Sequence, residues 1–283
     1  MTAQLIDGAA LARSKINDLK QSVTLLRSRG INPGLAAVHV GDDPASRIYI
    51  RNKAKACAEA GVNSVQRDLP AESSESEVLQ LIDALNSDAS IHGIIVQLPL
   101  PGHLNARRIS QAIAVAKDVD GFNWRNLGAM IEGAPGIVPC TPCAVMAMLD
   151  SVKVPIEGRH AVVVGRSNIV GKPVALLLIA RGATVTVCNS RTPDLGVITR
   201  QADILVVATG KAGLVTGSMV KPGAAVIDVG INRLPTGKIV GDVTFDEVKE
   251  VAGWITPVPG GVGPMTVAML VENTVAAAAR TQP

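Results

Sequence analysis

Residues 162–178 read VVVGRSNIVGKPVALLL: an apolar run, a turn carrying glycine, then a helix that Gly182 ends. A helix N-terminus presents main-chain N–H groups with no partner in the helix, and a pyrophosphate fits them. The spacing is not GxGxxG, because five residues separate Gly165 from Gly171. A tight strand–helix turn that binds nothing satisfies the same pattern. The next strand adds weight. ATVTVC (183–188) leads into NSRT at 189–192, with no acid there to meet a ribose hydroxyl. Ser190, Arg191 and Thr192 can instead meet a 2′-phosphate, and so can Arg166, so the pattern leans toward NADP. A polar loop in water is the alternative.

Further strands surround this turn: HAVVVG (160–165), DILVVAT (203–209), AAVIDVG (224–230) and GWITPV (253–258). A helix at 142–150 precedes them, and an Ala-rich apolar helix from about residue 264 ends the chain. The first 116 residues also alternate. A helix at 9–29 places Leu11, Ile16, Leu19, Val23 and Leu26 at helical spacing, and GLAAVHV (34–40) is a strand. Asp43 caps a helix with Pro44 at its first position and Gly61 at its end. A weaker strand, VQRDLP, a capped helix at 73–88, a buried strand at 91–97 and a helix at 104–113 follow. Such alternation predicts an α/β protein with mainly parallel sheets. Residues 117–142, rich in Gly, Pro and Asn and without a period, read as a long loop joining two lobes.

The 283 residues are 47% hydrophobic and 18% charged, which excludes a disordered chain, and aromatics at 2% leave aliphatic side chains to fill the core. No run of about 18 or more apolar residues is read, so no membrane span is expected, and the N-terminus lacks the pattern of a signal peptide. Those features and only four cysteines point to the cytoplasm. A net charge of +3 without a basic block argues against nucleic acid as partner. Cys140 and Cys143 form a CxxC, but His39, His92, His103 and His160 supply no matching pair, so no metal site is expected. A redox pair and two small buried thiols both remain open for that motif.

Ser46, Tyr49 and Lys53 lie along one stripe of the helix after Asp43, beside an apolar face of Ile50, Ala54, Cys57 and Ala58. A border lysine that is partly desolvated suits proton transfer. A lone lysine at such a border is more often a snorkelling surface residue, and the helix alone does not decide between them.

Other stretches decide it. VGDDPASRIYIRNKAKACAEAG, GIIVQLPLP, KDVDGF, PCTP, VVVGRSNIVGKP, VIDVGIN, GDV and TPVPGGVGPMT occur in this order. From about residue 35 to the end the chain closely resembles the bifunctional methylenetetrahydrofolate dehydrogenase/methenyltetrahydrofolate cyclohydrolase family. The resemblance implies an oxidoreductase and hydrolase of one-carbon metabolism. It would oxidise 5,10-methylenetetrahydrofolate with NADP and then hydrolyse the methenyl product to 10-formyltetrahydrofolate. That product would feed purine biosynthesis, amino-acid biosynthesis and formylation of the initiator tRNA.

By the same resemblance Lys53 is the catalytic lysine, Tyr49 stacks on the folate, Gln97 hydrogen-bonds the lysine, and Asp120 holds the pterin ring. Ser46, Pro259, Gly260 and Gly261 are substrate-side positions. Gly165, Arg166, Ser167, Ser190, Arg191, Thr192 and Ile231 are cofactor-side positions. The fold implied is an N-terminal α/β catalytic domain plus a Rossmann-like NADP-binding domain. Its expected boundaries are 1–138 with 264–283, and 139–263. A homodimer through the cofactor lobes is implied too. Asn189 stands where the family commonly has His, and Cys143 and Ala144 stand where it often has a bulkier residue and a glycine. The alternatives are a monofunctional NAD(P)-dependent dehydrogenase of the same fold, a non-catalytic sensor of nucleotide and folate, and a shikimate-type dehydrogenase.

Overall fold

Asp43 accepts the Ser46 N–H at 2.7 Å and caps the helix Pro44–Ala60, and Gly61 closes that helix with φ +83. Ser74 and Glu77 form a reciprocal capping box on the helix Glu75–Ser87, whose buried stripe is Val78, Ile82 and Leu85. These ends fall where the sequence punctuates them, because a cap acts within one turn. The computed structural model describes residues 2–281, apart from the side chains of Pro44 and Ala45. Met1, Gln282 and Pro283, at the outer ends of the expected first domain, lie outside the described residues.

Contacts divide the chain into two units: Met1–Ala12 with Thr141–Thr266, and Arg13–Cys140 with Val267–Pro283. The second holds three parallel strands, with Gly34–Val40 between Asn63–Leu69 and Gly93–Val96. A helix follows each of the first two strands, so the next one returns in the same direction. Alternation turns Ala36, Val38 and Val40 to one face, where they pack with Ile82, Ile94 and Ile109. Each such isoleucine, fully buried, contributes about 1.5–3 kcal/mol. On the other face Gly93 makes room: a Cβ there would sit 2.8 Å from a Val119 methyl and 3.1 Å from the Thr274 hydroxyl.

The first unit holds a six-stranded parallel sheet. Its order is Gln4–Leu5, Trp254–Ile255, Ala225–Asp228, Ile204–Val207, His160–Val164, Thr184–Cys188. From His160–Val164 the chain goes first to one neighbour and then crosses to the other, so the strand order reverses there. Doubly wound sheets bind ligands at the carboxyl edge of such a reversal. The core beneath is aliphatic, built on Val162, Val164, Leu205, Val207, Val226 and Ile255.

Three features differ from the sequence reading. Residues 2–12 group with the six-stranded unit, not with the first domain, because Gln4–Leu5 pairs with Trp254–Ile255. The stretch 117–142 is not all loop: it contains the helix Trp124–Ile131, capped by Asn123 and anchored by buried Asn126 and Met130. The closing helix, Val262–Ala279, is long and apolar enough to cross a membrane by length and composition, with mean hydropathy 1.3. Most of it is buried in protein, and Asn273 donates to the Val119 and Val138 carbonyls at 2.9 Å.

Candidate active site

Lys53 lies two turns into the helix Pro44–Ala60, and Gln97 directly follows the strand Gly93–Val96. The two meet: Lys53 Nζ donates to Gln97 Oε1 at 3.1 Å. Gln97 is fixed from two sides, since its amide nitrogen donates to the Leu98 carbonyl at 2.7 Å and its main-chain N–H to Val38 at 2.9 Å. The lysine nitrogen therefore meets a side chain that is itself hydrogen-bonded. One turn on, burial pushes the Cys57 thiol up to about 12 against the opposing pull of Lys53, so Cys57 stays protonated and inert.

Asp120 belongs to the same cluster. Burial raises its carboxyl above the usual carboxylate range, the positive charge of Lys53 pulls it back, and Asp118 pushes the same way as burial. Its place in space comes from its neighbours. Asp118, itself buried and raised, accepts from the Asn123 N–H at 2.7 Å and the Asn126 amide at 2.9 Å. Asn273 holds the Val119 carbonyl, and Gly121 with φ +73 lies so close to Val138 and Pro139 that a Cβ would be 2.6 Å from the Pro139 nitrogen. Tyr49 is 39% exposed, a free aromatic face on the same helix as Lys53. Ser46 is buried and its hydroxyl donates to Asp43 at 2.8 Å, so it serves the helix cap.

The cofactor-side positions gather at the carboxyl edge of the six-stranded sheet. Gly165 directly follows His160–Val164 with φ +125, and a Cβ there would collide with the Ala208 carbonyl on the neighbouring strand's loop. At Gly171, where the helix Gly171–Ala180 starts, a Cβ would collide with the Gly165 carbonyl. Ser167 accepts from the N–H groups of Val170 at 3.1 Å and Gly171 at 3.3 Å, which steadies the turn. After Thr184–Cys188, Thr192 accepts the Asn189 N–H at 2.9 Å and Asn189 accepts the Arg191 N–H at 3.0 Å, closing a loop that leaves Ser190 and Arg191 exposed. Arg166 is exposed beside Gly165, and Ile231 is exposed after Ala225–Asp228. Pro259, Gly260 and Gly261 precede the helix Val262–Ala279, and Gly260 has φ +103.

Sequence reasoning passed over Asp118, Asn123, Asn126 and Asn273, which build the seat of Asp120. It also gave no role to Asp228 and Asp242, buried at the cofactor edge. Polar residues inside a stretch with no apolar period look like loop residues, and only burial tells them apart. Cys140 donates through its thiol to the Val119 carbonyl at 3.2 Å, a structural role for one half of the CxxC. No group of three or more candidate metal ligands occurs among the described residues.

Comparison with known proteins agrees with this layout. Residues 6–120 match the tetrahydrofolate dehydrogenase/cyclohydrolase catalytic domain, and residues 139–282 match the NAD(P)-binding domain of the same family. The bifunctional protein FolD of Polaromonas naphthalenivorans is 58% identical over 280 residues, 99% of this chain and 100% of that relative. The crystal structure of the bifunctional enzyme FolD, methylenetetrahydrofolate dehydrogenase/cyclohydrolase, from Campylobacter jejuni superposes with a TM-score of 0.97 at 50% identity, covering 98% of this chain and 99% of that one. The Trypanosoma brucei dehydrogenase–cyclohydrolase, complexed with NADP cofactor and inhibitor, gives a TM-score of 0.95 at 42% identity, with 99% of each chain covered.

Proposed function

The chain belongs to the tetrahydrofolate dehydrogenase/cyclohydrolase family, and from that premise we propose how its own residues carry the two reactions. The protein oxidises 5,10-methylenetetrahydrofolate to the 5,10-methenyl cation with NADP and hydrolyses that cation to 10-formyltetrahydrofolate. The observation that carries the residue assignment is the Lys53 Nζ–Gln97 Oε1 hydrogen bond of 3.1 Å, with Asp120 within the field of the same lysine.

Oxidation creates a cation that an ammonium beside it would repel, so the proposal requires Lys53 to have passed its proton on when the hydride leaves. In hydrolysis Lys53 takes a proton from the water that adds to the methenyl carbon. As the ring opens, one water proton goes to the departing ring nitrogen and the other is released, so the charge balances. Gln97 holds Nζ at the station this needs. Asp120 accepts hydrogen bonds from the amino and ring N–H groups of the pterin, and Tyr49 stacks on the ring. Pro259, Gly260 and Gly261 are assigned to the substrate as main chain that a flat ligand can approach closely. Ser46 supports the helix that carries Lys53. The Lys53–Gln97 pair argues against a dehydrogenase that has lost the hydrolytic step.

The residues at the six-stranded edge fit NADP. Gly165 leaves open main chain where any side chain would collide with Ala208, the helix Gly171–Ala180 begins beside it, and Arg166 and Arg191 are exposed cations. NADP, when bound, supplies the acceptor for the hydride that oxidation removes. Gly165 and Ser167 would hold its pyrophosphate side, Arg166, Ser190, Arg191 and Thr192 its 2′-phosphate, and Ile231 would pack against it. Mixing the protein with 5,10-methylenetetrahydrofolate and either NADP or NAD, while following reduced cofactor and methenyl absorbance together, tests the whole reading. Reduced cofactor with little methenyl build-up is expected, faster with NADP, and the gap between nucleotides should narrow in Arg166→Ala. Binding without turnover would refute it.

A homodimer is proposed through the edge strand Thr184–Cys188. Among the described residues nothing pairs beyond it in the sheet, Val187 on it is 40% exposed, and Ile179 and Val197 nearby in sequence are exposed too. Sedimentation should give the mass of two chains for the native protein and of one for Val187→Lys; a single-chain mass for the native protein removes the proposal. The cytoplasm is proposed as its location, where the buried thiols Cys57 and Cys188 stay reduced, and cell fractionation tests that.

A further inference from the structure

Two carboxylates lie buried under the carboxyl-edge loops of the six-stranded sheet, and neither takes part in the chemistry above. Asp228, the last residue of Ala225–Asp228, is 2% exposed, and Asp242 is 0% exposed. Asp228 accepts through Oδ1 from the N–H groups of Gly230 and Asp242, both at 2.9 Å, and through Oδ2 from Val243 at 3.1 Å. Asp242 reaches further. Its Oδ2 accepts from the Thr209 N–H at 2.6 Å, the Thr209 hydroxyl at 3.0 Å and the Gly210 N–H at 3.0 Å, and its Oδ1 accepts from the Asn232 amide at 2.8 Å. Every partner is a donor, so both sites suit an ionised oxygen that only accepts.

The arrangement is costly. Burial, with the charge of Asp242 added, pushes the Asp228 carboxyl up to about 6. It is also closely fitted: a Cβ at Gly230 would collide with the Asp242 carboxylate, and one at Gly241 with that of Asp228. A turn that needed only to connect strands could close with its own main chain. What the two carboxylates hold is specific: Thr209–Gly210, after Ile204–Val207, and Gly230–Asn232, after Ala225–Asp228, which includes Ile231.

These loops lie on the far side of the strand-order reversal from 189–192. A dinucleotide bound across such a reversal with its adenosine half at 189–192 brings its nicotinamide half to them. We propose that Asp242, seated on Asp228, is a positioning residue for the dehydrogenase reaction, presetting the 209–210 and 230–232 main chain for the nicotinamide half of the cofactor. This rests on the NADP reading above.

The test uses the full-length enzyme and two assays. One is NADP-dependent oxidation of 5,10-methylenetetrahydrofolate. The other is hydrolysis of 5,10-methenyltetrahydrofolate with no nucleotide present. In Asp242→Asn an NH2 group faces the Thr209 and Gly210 donors, or the Asn232 amide. The expected result is a fall in dehydrogenase kcat/KM of about tenfold to a hundredfold, the scale of a small misplacement of reacting groups, with a higher KM for NADP. The cyclohydrolase rate should hold, so the ratio of the two activities shifts. Equal loss of both activities, or no loss in a folded variant, overturns the proposal. Should Asp242→Asn not fold, Thr209→Val removes the hydroxyl that donates to Asp242 and accepts the Lys211 N–H at 3.3 Å, keeps the Thr209 main-chain N–H, and must raise the KM for NADP without changing hydrolysis. An unchanged KM there counts against Asp242 equally. Native protein that binds no NADP would instead refute the cofactor reading, which keeps the two failures apart.

Discussion

The three-stranded and six-stranded units build their sites by opposite means. In the first, the proposed chemistry rests on side chains: Lys53, Gln97 and Asp120 converge from a helix, a strand end and a braced turn. In the second, the surface is mostly main chain. Gly165 and Gly171 are pressed against neighbouring carbonyls, and Asp242 grips the N–H groups of Thr209 and Gly210 from beneath. Acid–base work needs groups that exchange protons, whereas holding a polyphosphate needs N–H donors fixed in direction. The first unit should therefore be sensitive to side-chain chemistry and the second to backbone shape.

The largest effect expected from that contrast is in Lys53→Met. Its cyclohydrolase rate should fall at least about a hundredfold, the range for removing a general acid–base group. NADP affinity should stay at the native value, since no cofactor-side position is touched. Methenyl hydrolysis persisting at the native rate would show that Lys53 has been misassigned. The converse change is Gly165→Ala, which adds one methyl group against the Ala208 carbonyl at φ +125. A loss of about 1–3 kcal/mol in stability is expected, the usual range for such strain. NADP titration should show weakened binding while hydrolysis survives; native NADP affinity would mean that the turn has slack it is not credited with.

The smallest effect concerns pH. Asp228 is raised in the fold from 3.8 to about 6, so the folded state binds its proton more tightly than the unfolded chain. That contribution is fully present below about pH 4 and is lost as pH rises through about 6. It amounts to on the order of 2–3 kcal/mol. Asp228→Asn has no such titration. Urea unfolding at pH 4 and pH 7 should therefore show the native protein losing ground to this variant as pH rises, and a difference that does not move with pH would contradict the assignment.

What the sequence determined by itself is local or periodic. Asp43 and Gly61 bracket the lysine helix, Ser74 and Glu77 box the next one, and apolar runs such as 160–164 and 204–207 mark buried strands. Lys53 and Gln97 could be named from the motifs that carry the resemblance, but their contact joins residues 44 positions apart. Tertiary structure alone decided the rest. Gln4–Leu5 is too short to show a period and becomes a strand only because Trp254–Ile255 offers it an edge. The helix Trp124–Ile131 hides among glycines and asparagines whose value lies in what they bond, Asp118 above all. Asn273 reaches back 154 residues to the Val119 carbonyl beside Asp120. Caps and periods are short-range and repeat, so a linear text records them; a buried polar contact exists only once the chain has closed, when the cost of leaving a donor or acceptor unpaired selects its partner.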